Sequence, residues 1–141
     1  MPPNKIKKMI TYKETKDFNE TDLKNLFLSV NWSSGNYPDK LVIAMKNSDT
    51  VISAWDGEKL IGLINALSDK IMTVYFHYLL VMPDYHSQGI GKSLLTKMLE
   101  IYKEYARKAV IAYNKEIGFY QRCGFEPHSD KTPMFITFLT T

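Results

Sequence analysis

One segment constrains this chain more than any other: Leu79-Leu80-Val81-Met82-Pro83-Asp84-Tyr85-His86-Ser87-Gln88-Gly89-Ile90-Gly91-Lys92-Ser93-Leu94-Leu95. Its first residues read as the end of a strand, its glycines as a turn, and the residues after Gly89 as an amphipathic helix. A helix that opens on such a turn presents unpaired backbone N–H groups and a partial positive charge, and together these bind anions. Glycines at 89 and 91 let the backbone approach a bulky phosphate that a Cβ would hold off. Two common phosphate motifs do not fit. Gly91-Lys92-Ser93 matches the end of a nucleoside-triphosphate loop, but the leading glycine would fall at position 86, which is His86. A dinucleotide fingerprint starting at Gly89 needs Gly or Ala at 94, where Leu94 stands.

Around this segment the chain alternates element types. Residues 9–15 read as a short strand, and Thr21 as the N-cap of a helix carrying Leu23, Leu26, Phe27 and Val30. Residues 31–38 form a loop rich in turn formers that also holds Trp32 and Tyr37. These two aromatics either face a ligand or anchor the loop. Helical spacing returns over 39–48. Strand-like runs at 50–55 and 60–67 are joined by the hairpin signal Asp56-Gly57, and a second turn at 68–70 leads into a strand over 71–81. A helix over 89–106, a buried strand over 108–113, a short helix over 116–122 closed by Gly124 and a strand over 134–139 complete the order. The pattern predicts an α/β fold, with 1–141 a single domain and 1–8 a flexible tail.

Composition narrows the function classes. The net charge is +3, from 18 Lys+Arg against 15 Asp+Glu, with the signs mixed along the chain, so a nucleic-acid partner is not expected. Cys123 is the single cysteine and has no partner for an internal disulfide, which suits a reducing compartment. The basic run Lys5, Lys7 and Lys8 lacks the apolar region of a signal peptide, and no stretch approaches the ~20 apolar residues of a spanning helix. A soluble cytoplasmic protein with no membrane partner is expected. No His/Cys/Asp cluster has metal-ligand spacing, so no metal is implied.

The glycine segment resembles motif A of the GCN5-related N-acetyltransferases (GNAT superfamily), (Arg/Gln)-x-x-Gly-x-(Gly/Ala) preceded by a strand, a Pro and usually a Tyr. Here it reads His86-Ser87-Gln88-Gly89-Ile90-Gly91 with Pro83 and Tyr85 in place; His86 departs from the usual Arg or Gln. Asn114-Lys115-Glu116-Ile117-Gly118-Phe119-Tyr120-Gln121-Arg122-Cys123-Gly124-Phe125 resembles the family's motif B. The resemblance covers residues 74–126 and implies a central mixed, mostly antiparallel sheet of about seven strands with about four helices. It also implies a splay between the fourth and fifth strands.

For function, the resemblance implies an acetyl-CoA-dependent acyltransferase that moves an acetyl group to a primary amine by direct attack in a ternary complex. The acceptor would be a small-molecule amine or, second, a protein amine. The alternative is a non-catalytic CoA-binding sensor or interaction module on the same fold. The cofactor's pyrophosphate would lie on the N–H groups of His86, Ser87, Gln88, Gly89, Ile90, Gly91, Lys92 and Ser93. Its pantetheine arm would pair with the strand at Leu79 and Val81, with the Met82 backbone contributing. Asn114 would bond the arm, cap a helix, or do both. Tyr120 would contact the cofactor and protonate the departing thiolate, or pack beside Phe119. His77 stands where relatives carry a base, or is structural. A base matters because an ammonium of pKa near 10.4 lies ~3.4 units from neutrality, or ~4.6 kcal/mol from the free amine. Trp32 and Tyr37 would supply desolvation and a cation–π contact. Cys123 reads as core packing and not as a nucleophile. The edge of the strand at 134–139 permits a homodimer.

Overall fold

The computed structural model describes residues 9–141, so the tail expected at 1–8 lies outside the described residues. β1 (Ile10–Glu14) pairs antiparallel with β2 (Thr50–Asp56), β2 with β3 (Lys59–Ser68) and β3 with β4 (Thr73–Val81). β5 (Arg107–Val110) then adds parallel to β4, giving the order β1-β2-β3-β4-β5. The β2–β3 hairpin turns on Gly57 at φ +61°, the left-handed conformation that its Asp-Gly sequence favours. Four α-helices accompany the sheet: α1 (Glu20–Ser29), α2 (Pro38–Asn47), α3 (Ile90–Ile101) and α4 (Ile117–Arg122). Residues 60–66 of β3 are buried without interruption, so both faces of this strand are covered. Leu23, Leu26 and Phe27 of α1 and Leu94, Leu95 and Met98 of α3 belong to that core.

The described residues hold five strands, not the seven expected. Residues 134–139, read as a strand, form no ladder with any partner among the described residues. They lead to a tie at the α1–α2 loop, where the Ser33 N–H donates to the Thr140 carbonyl (2.9 Å) and the Thr140 N–H to Ser33 Oγ (2.7 Å). Other boundaries shift for local reasons. Asn19, not Thr21, caps α1, its Oδ1 accepting the Asp22 N–H at 2.8 Å. β4 starts at Thr73 because Asp69 Oδ1 accepts the N–H groups of Ile71, Met72 and Thr73 in a turn, with Lys70 left-handed. α3 stops at Ile101, and the hydroxyl of the buried Tyr102 bonds the Asp49 carboxylate and Thr50.

One irregularity positions the site. Ile64 pairs with Leu79 and Ala66 with Phe76, so His77 and Tyr78 together oppose Asn65 alone. The extra residue is a β-bulge, which bends β4 and breaks its ladder. Asn65 is buried and repairs that break: its Oδ1 accepts the Tyr78 N–H at 2.7 Å, and its Nδ2 donates to Ser48 Oγ at 3.1 Å. Asn65→Leu keeps the volume and removes the acceptor. We expect it to lower stability by about 1–3 kcal/mol, seen as a lower urea midpoint at unchanged m-value. An unchanged midpoint would show that the bulge does not need the amide.

Candidate active site

Pairing between β4 and β5 ends at Phe76 and Val110, and β4 runs on to Val81 with no described strand on that edge. The Met82 N–H donates to the Ile61 carbonyl (2.8 Å) on the opposite side. By the alternation of an antiparallel ladder, Leu79 and Val81 therefore turn their backbone groups to the open edge. That edge lines a cleft of about 800 Å³, the size of a small-molecule site.

Beyond Val81 the chain crosses one turn of 3-10 helix at Pro83–Tyr85. The Tyr85 hydroxyl donates to the Asp56 carboxylate, pinning this crossing to the β2–β3 hairpin, and that bond pushes the phenol up to about 12. Ser87 (φ +65°) and Gly89 (φ +76°) then both adopt the left-handed conformation. For a serine this costs roughly 1 kcal/mol and persists only where its surroundings enforce it. Asn31, across the cleft, is left-handed as well (φ +62°). Gly89 caps α3 without a side chain, and the Ser93 N–H is already bonded to its carbonyl at 3.0 Å. The N–H groups of Ile90, Gly91 and Lys92 have no acceptor within the helix. A Cβ on Gly91 would stand 3.8 Å from the Phe119 ring and 4.0 Å from Val81, in the floor of the cleft. Lys92, Lys115 and Arg122 stand against the single lining carboxylate, Glu116. These residues fit a diphosphate-bearing cofactor.

The His86 backbone N–H donates to the Pro83 carbonyl at 3.1 Å, and its side chain makes a contact of its own. Its Nε2 lies 2.7 Å from the Val81 carbonyl, which can only accept, so Nε2 carries the proton and donates. The side chain thus ties the glycine turn back to the end of β4. His77 opens its ring into the cleft and stacks on Tyr78 at 3.9 Å between centroids. It lies four residues before Val81, and exposure alternates along β4, so His77, Leu79 and Val81 share the face that lines the cleft. Burial holds its imidazole below the ordinary 6.5, so the ring is neutral at pH 7. Tyr120, half-buried on α4, has its phenol pushed up to about 12 by burial and then by the charge of Glu116. It keeps its proton at neutral pH.

The cleft gathers Trp32, His77, Leu79, Val81, His86, Ser87, Gly89, Ile90, Gly91, Lys92 and Tyr120. Five expected site residues lie outside its lining: Met82, Gln88, Ser93, Asn114 and Tyr37. The Met82 N–H is spent on Ile61, and its carbonyl accepts the Tyr85 N–H at 2.9 Å. Gln88 is exposed. Asn114 starts a 3-10 turn and caps nothing with its side chain. Tyr37 turns to Phe138, with ring centroids 6.0 Å apart, and to Lys40. Trp32 lines the cleft while its ring contacts Phe27 and Tyr78, so it is an anchor and a wall at once. Cys123 is half-buried against the core, away from the cleft. Lys115, Arg122 and the wall at 111–113 went unremarked in the sequence, although Lys115 and Arg122 lie inside the second motif.

Comparison with known proteins agrees with this geometry. The model of the acetyltransferase (GNAT) family matches residues 15–125. A chloroplastic GCN5-related N-acetyltransferase 2 of Arabidopsis thaliana is 31% identical, the match covering 74% of this chain and 49% of that protein. Histone acetyltransferase TAP1 of Glycine max is 28% identical, over 88% of this chain and 59% of that protein. The chain thus spans about half to three fifths of the length of these two relatives. A solved GNAT-family acetyltransferase structure from Streptococcus pneumoniae superposes with a TM-score of 0.78 at 33% identity, covering 92% of this chain and 98% of that one. The chain belongs to the GNAT acetyltransferase family. No helix among the described residues is long and apolar enough to cross a membrane.

The role of His86 is open to a two-variant test. His86→Gln keeps a donor for the Val81 carbonyl and His86→Leu does not. The leucine variant should lose about 1 kcal/mol of stability in urea and the glutamine variant less than half of that. Equal losses would show that the hydrogen bond contributes nothing.

Proposed function

We propose that residues 9–141 work as an acetyl-CoA-dependent N-acetyltransferase that acetylates a primary amine by direct attack in a ternary complex. The observation that carries this reading is the shared cleft. An open β4 edge, an uncapped helix N-terminus and two groups of opposite protonic character all face it. Acetyl-CoA, when bound, supplies an acetyl thioester. Of the residues expected to hold it, Ser87 and Gly89 through Lys92 present their side of the turn to the cleft, and Lys92, Lys115 and Arg122 offer charge. Leu79 offers both its backbone groups to the arm and Val81 its N–H, the Val81 carbonyl being held by His86. The end of β4–β5 pairing at Phe76 supports a gap between these strands for the arm.

The proton chemistry follows from the two cleft groups. Neutral His77 accepts a proton from the acceptor ammonium, which must lose ~4.6 kcal/mol worth of protonation at pH 7. Protonated Tyr120 donates to the departing sulfur. The Trp32 ring walls the acceptor side and excludes water. A small-molecule amine suits the cleft; a protein amine is the second class, on the printed name of the soybean relative. One observation favours a rival, a module that binds CoA without turnover: among the described residues the His77 ring makes ring contacts and no hydrogen bond that would orient it as a base.

Release of free CoA thiol from acetyl-CoA across a panel of amines separates the two. Release with some amine is expected, and none with any amine leaves the binding module. With an accepted amine, Tyr120→Phe should lower kcat about 10²-fold or more while cofactor affinity stays unchanged. Full activity would remove Tyr120 from the mechanism. A base must be deprotonated to work, and the His77 pKa is lowered. The acid limb of the rate should therefore have its midpoint below pH 6.5. His77→Gln should abolish that acid limb; a limb that survives in this variant belongs to another group.

A further inference from the structure

We propose that His86 is a latch on the cofactor edge of β4: its imidazole occupies the place beside Val81 that the arm of acetyl-CoA needs, and it swings off for the cofactor to bind. The inference rests on the acetyl-CoA reading of the cleft and adds to it a residue that sets cofactor affinity.

The free edge of β4 offers few groups. Past Phe76 it has no described partner strand, and there Leu79 and Val81 turn their N–H and carbonyl groups outward. An extended, amide-bearing arm laid along this edge bonds it as an added strand would, with each donor about 2.9 Å from its carbonyl. His86 Nε2 already stands 2.7 Å from the Val81 carbonyl. A carbonyl oxygen can accept two hydrogen bonds, so the bond by itself leaves room for a second donor. The ring does not, because an imidazole at that distance fills the space into which an added strand would bring its N–H. The chain thus closes one of the two residues that face the open edge. A histidine serving the diphosphate would aim its ring or its N–H at the turn, whereas here the N–H is spent on Pro83 and the ring on Val81.

Opening the latch needs no change of fold, because the backbone around His86 is fixed without the ring. Its N–H donates to the Pro83 carbonyl at 3.1 Å, the Tyr85 N–H to the Met82 carbonyl at 2.9 Å, and the Met82 N–H to the Ile61 carbonyl at 2.8 Å. Rotation about the side chain's own χ angles therefore clears the edge. The residue is exposed, and its bond to Val81 competes with water. A hydrogen bond of that net strength keeps the edge closed in most molecules and leaves it open in roughly one in three to one in ten. Apparent cofactor affinity falls by the same factor, since the arm pairs fully only with the open form. Once the ring is off, the N–H groups of Ile90, Gly91 and Lys92, bonded to a diphosphate, hold the turn that His86 held before.

Calorimetric titration of the full chain tests this with two ligands: acetyl-CoA, and adenosine 3′,5′-bisphosphate, which carries adenosine phosphates without the arm. His86→Ala should bind acetyl-CoA roughly 3- to 10-fold more tightly than the parent does, and the bisphosphate no differently. A second readout needs no loss of the ring. In the parent, the 15N shifts of the His86 ring, assigned by their absence from His86→Gln, should move when acetyl-CoA saturates the protein. Unchanged or weaker acetyl-CoA binding by His86→Ala, an equal gain for both ligands, or ring shifts that stay in place at saturation would each overturn the latch while leaving the cofactor site standing. Failure of parent and variant alike to bind acetyl-CoA would overturn the cofactor reading itself, and the latch with it.

Discussion

The amide of Asn65 sits where β4 carries one residue more than β3, and accepting the Tyr78 N–H there lets the strand bend without leaving a buried donor unpaired. Most of the site lies downstream of that bond. At the bulge His77 lines the cleft while Tyr78 stays in the core, against Phe27 and Ser34. Just before it, at Phe76, the parallel partner is lost, and the backbone of Leu79 and Val81 faces open space. An unbent β4 fully paired with β5 would have no free edge to offer a ligand. A local irregularity, held by one buried amide, thus turns a sheet into a binding surface.

The turn into α3 is held at both ends. His86 ties it to Val81, and Tyr85 ties it to Asp56 on the hairpin. Between these ties Ser87 and Gly89 are left-handed, which leaves the first N–H groups of α3 without acceptors and aimed at the cleft. The strain at Ser87 is tolerated because the ties define the path on either side. Cations then gather around this donor-rich end, while His77 and Tyr120 stay electrically neutral at pH 7, one able to accept a proton and the other to give one. Charge serves binding, and the neutral pair suits chemistry.

Much of this was legible in the residues. Gly89 and Gly91 after a strand marked the helix start, and Asp56-Gly57 marked the hairpin, because both depend on local backbone preferences. What stayed hidden depends on distant partners. Asn65 looks like an ordinary strand residue until Tyr78, 13 positions on, supplies the donor that makes it necessary. His86 stands out only as a departure from the usual Arg or Gln, since nothing in the sequence shows that its ring reaches the Val81 carbonyl. Whether Tyr37 faces a ligand or anchors its loop is open in the sequence, because the ring that engages it, Phe138, lies 101 positions away. The segment 134–139 has the composition of a strand and no described partner, which composition alone does not reveal.

The proposed acetyl-CoA site joins the open β4 edge to the α3 turn. Thermal unfolding with and without acetyl-CoA measures it directly, whatever the acceptor. At about 100 times the dissociation constant, linkage adds ~2.7 kcal/mol, enough to raise the midpoint by several degrees in a chain of this length. That rise is expected, and so is its loss when Gly91→Gln places a long side chain in the cleft. No rise at millimolar acetyl-CoA, or a rise that Gly91→Gln leaves unchanged, would contradict it.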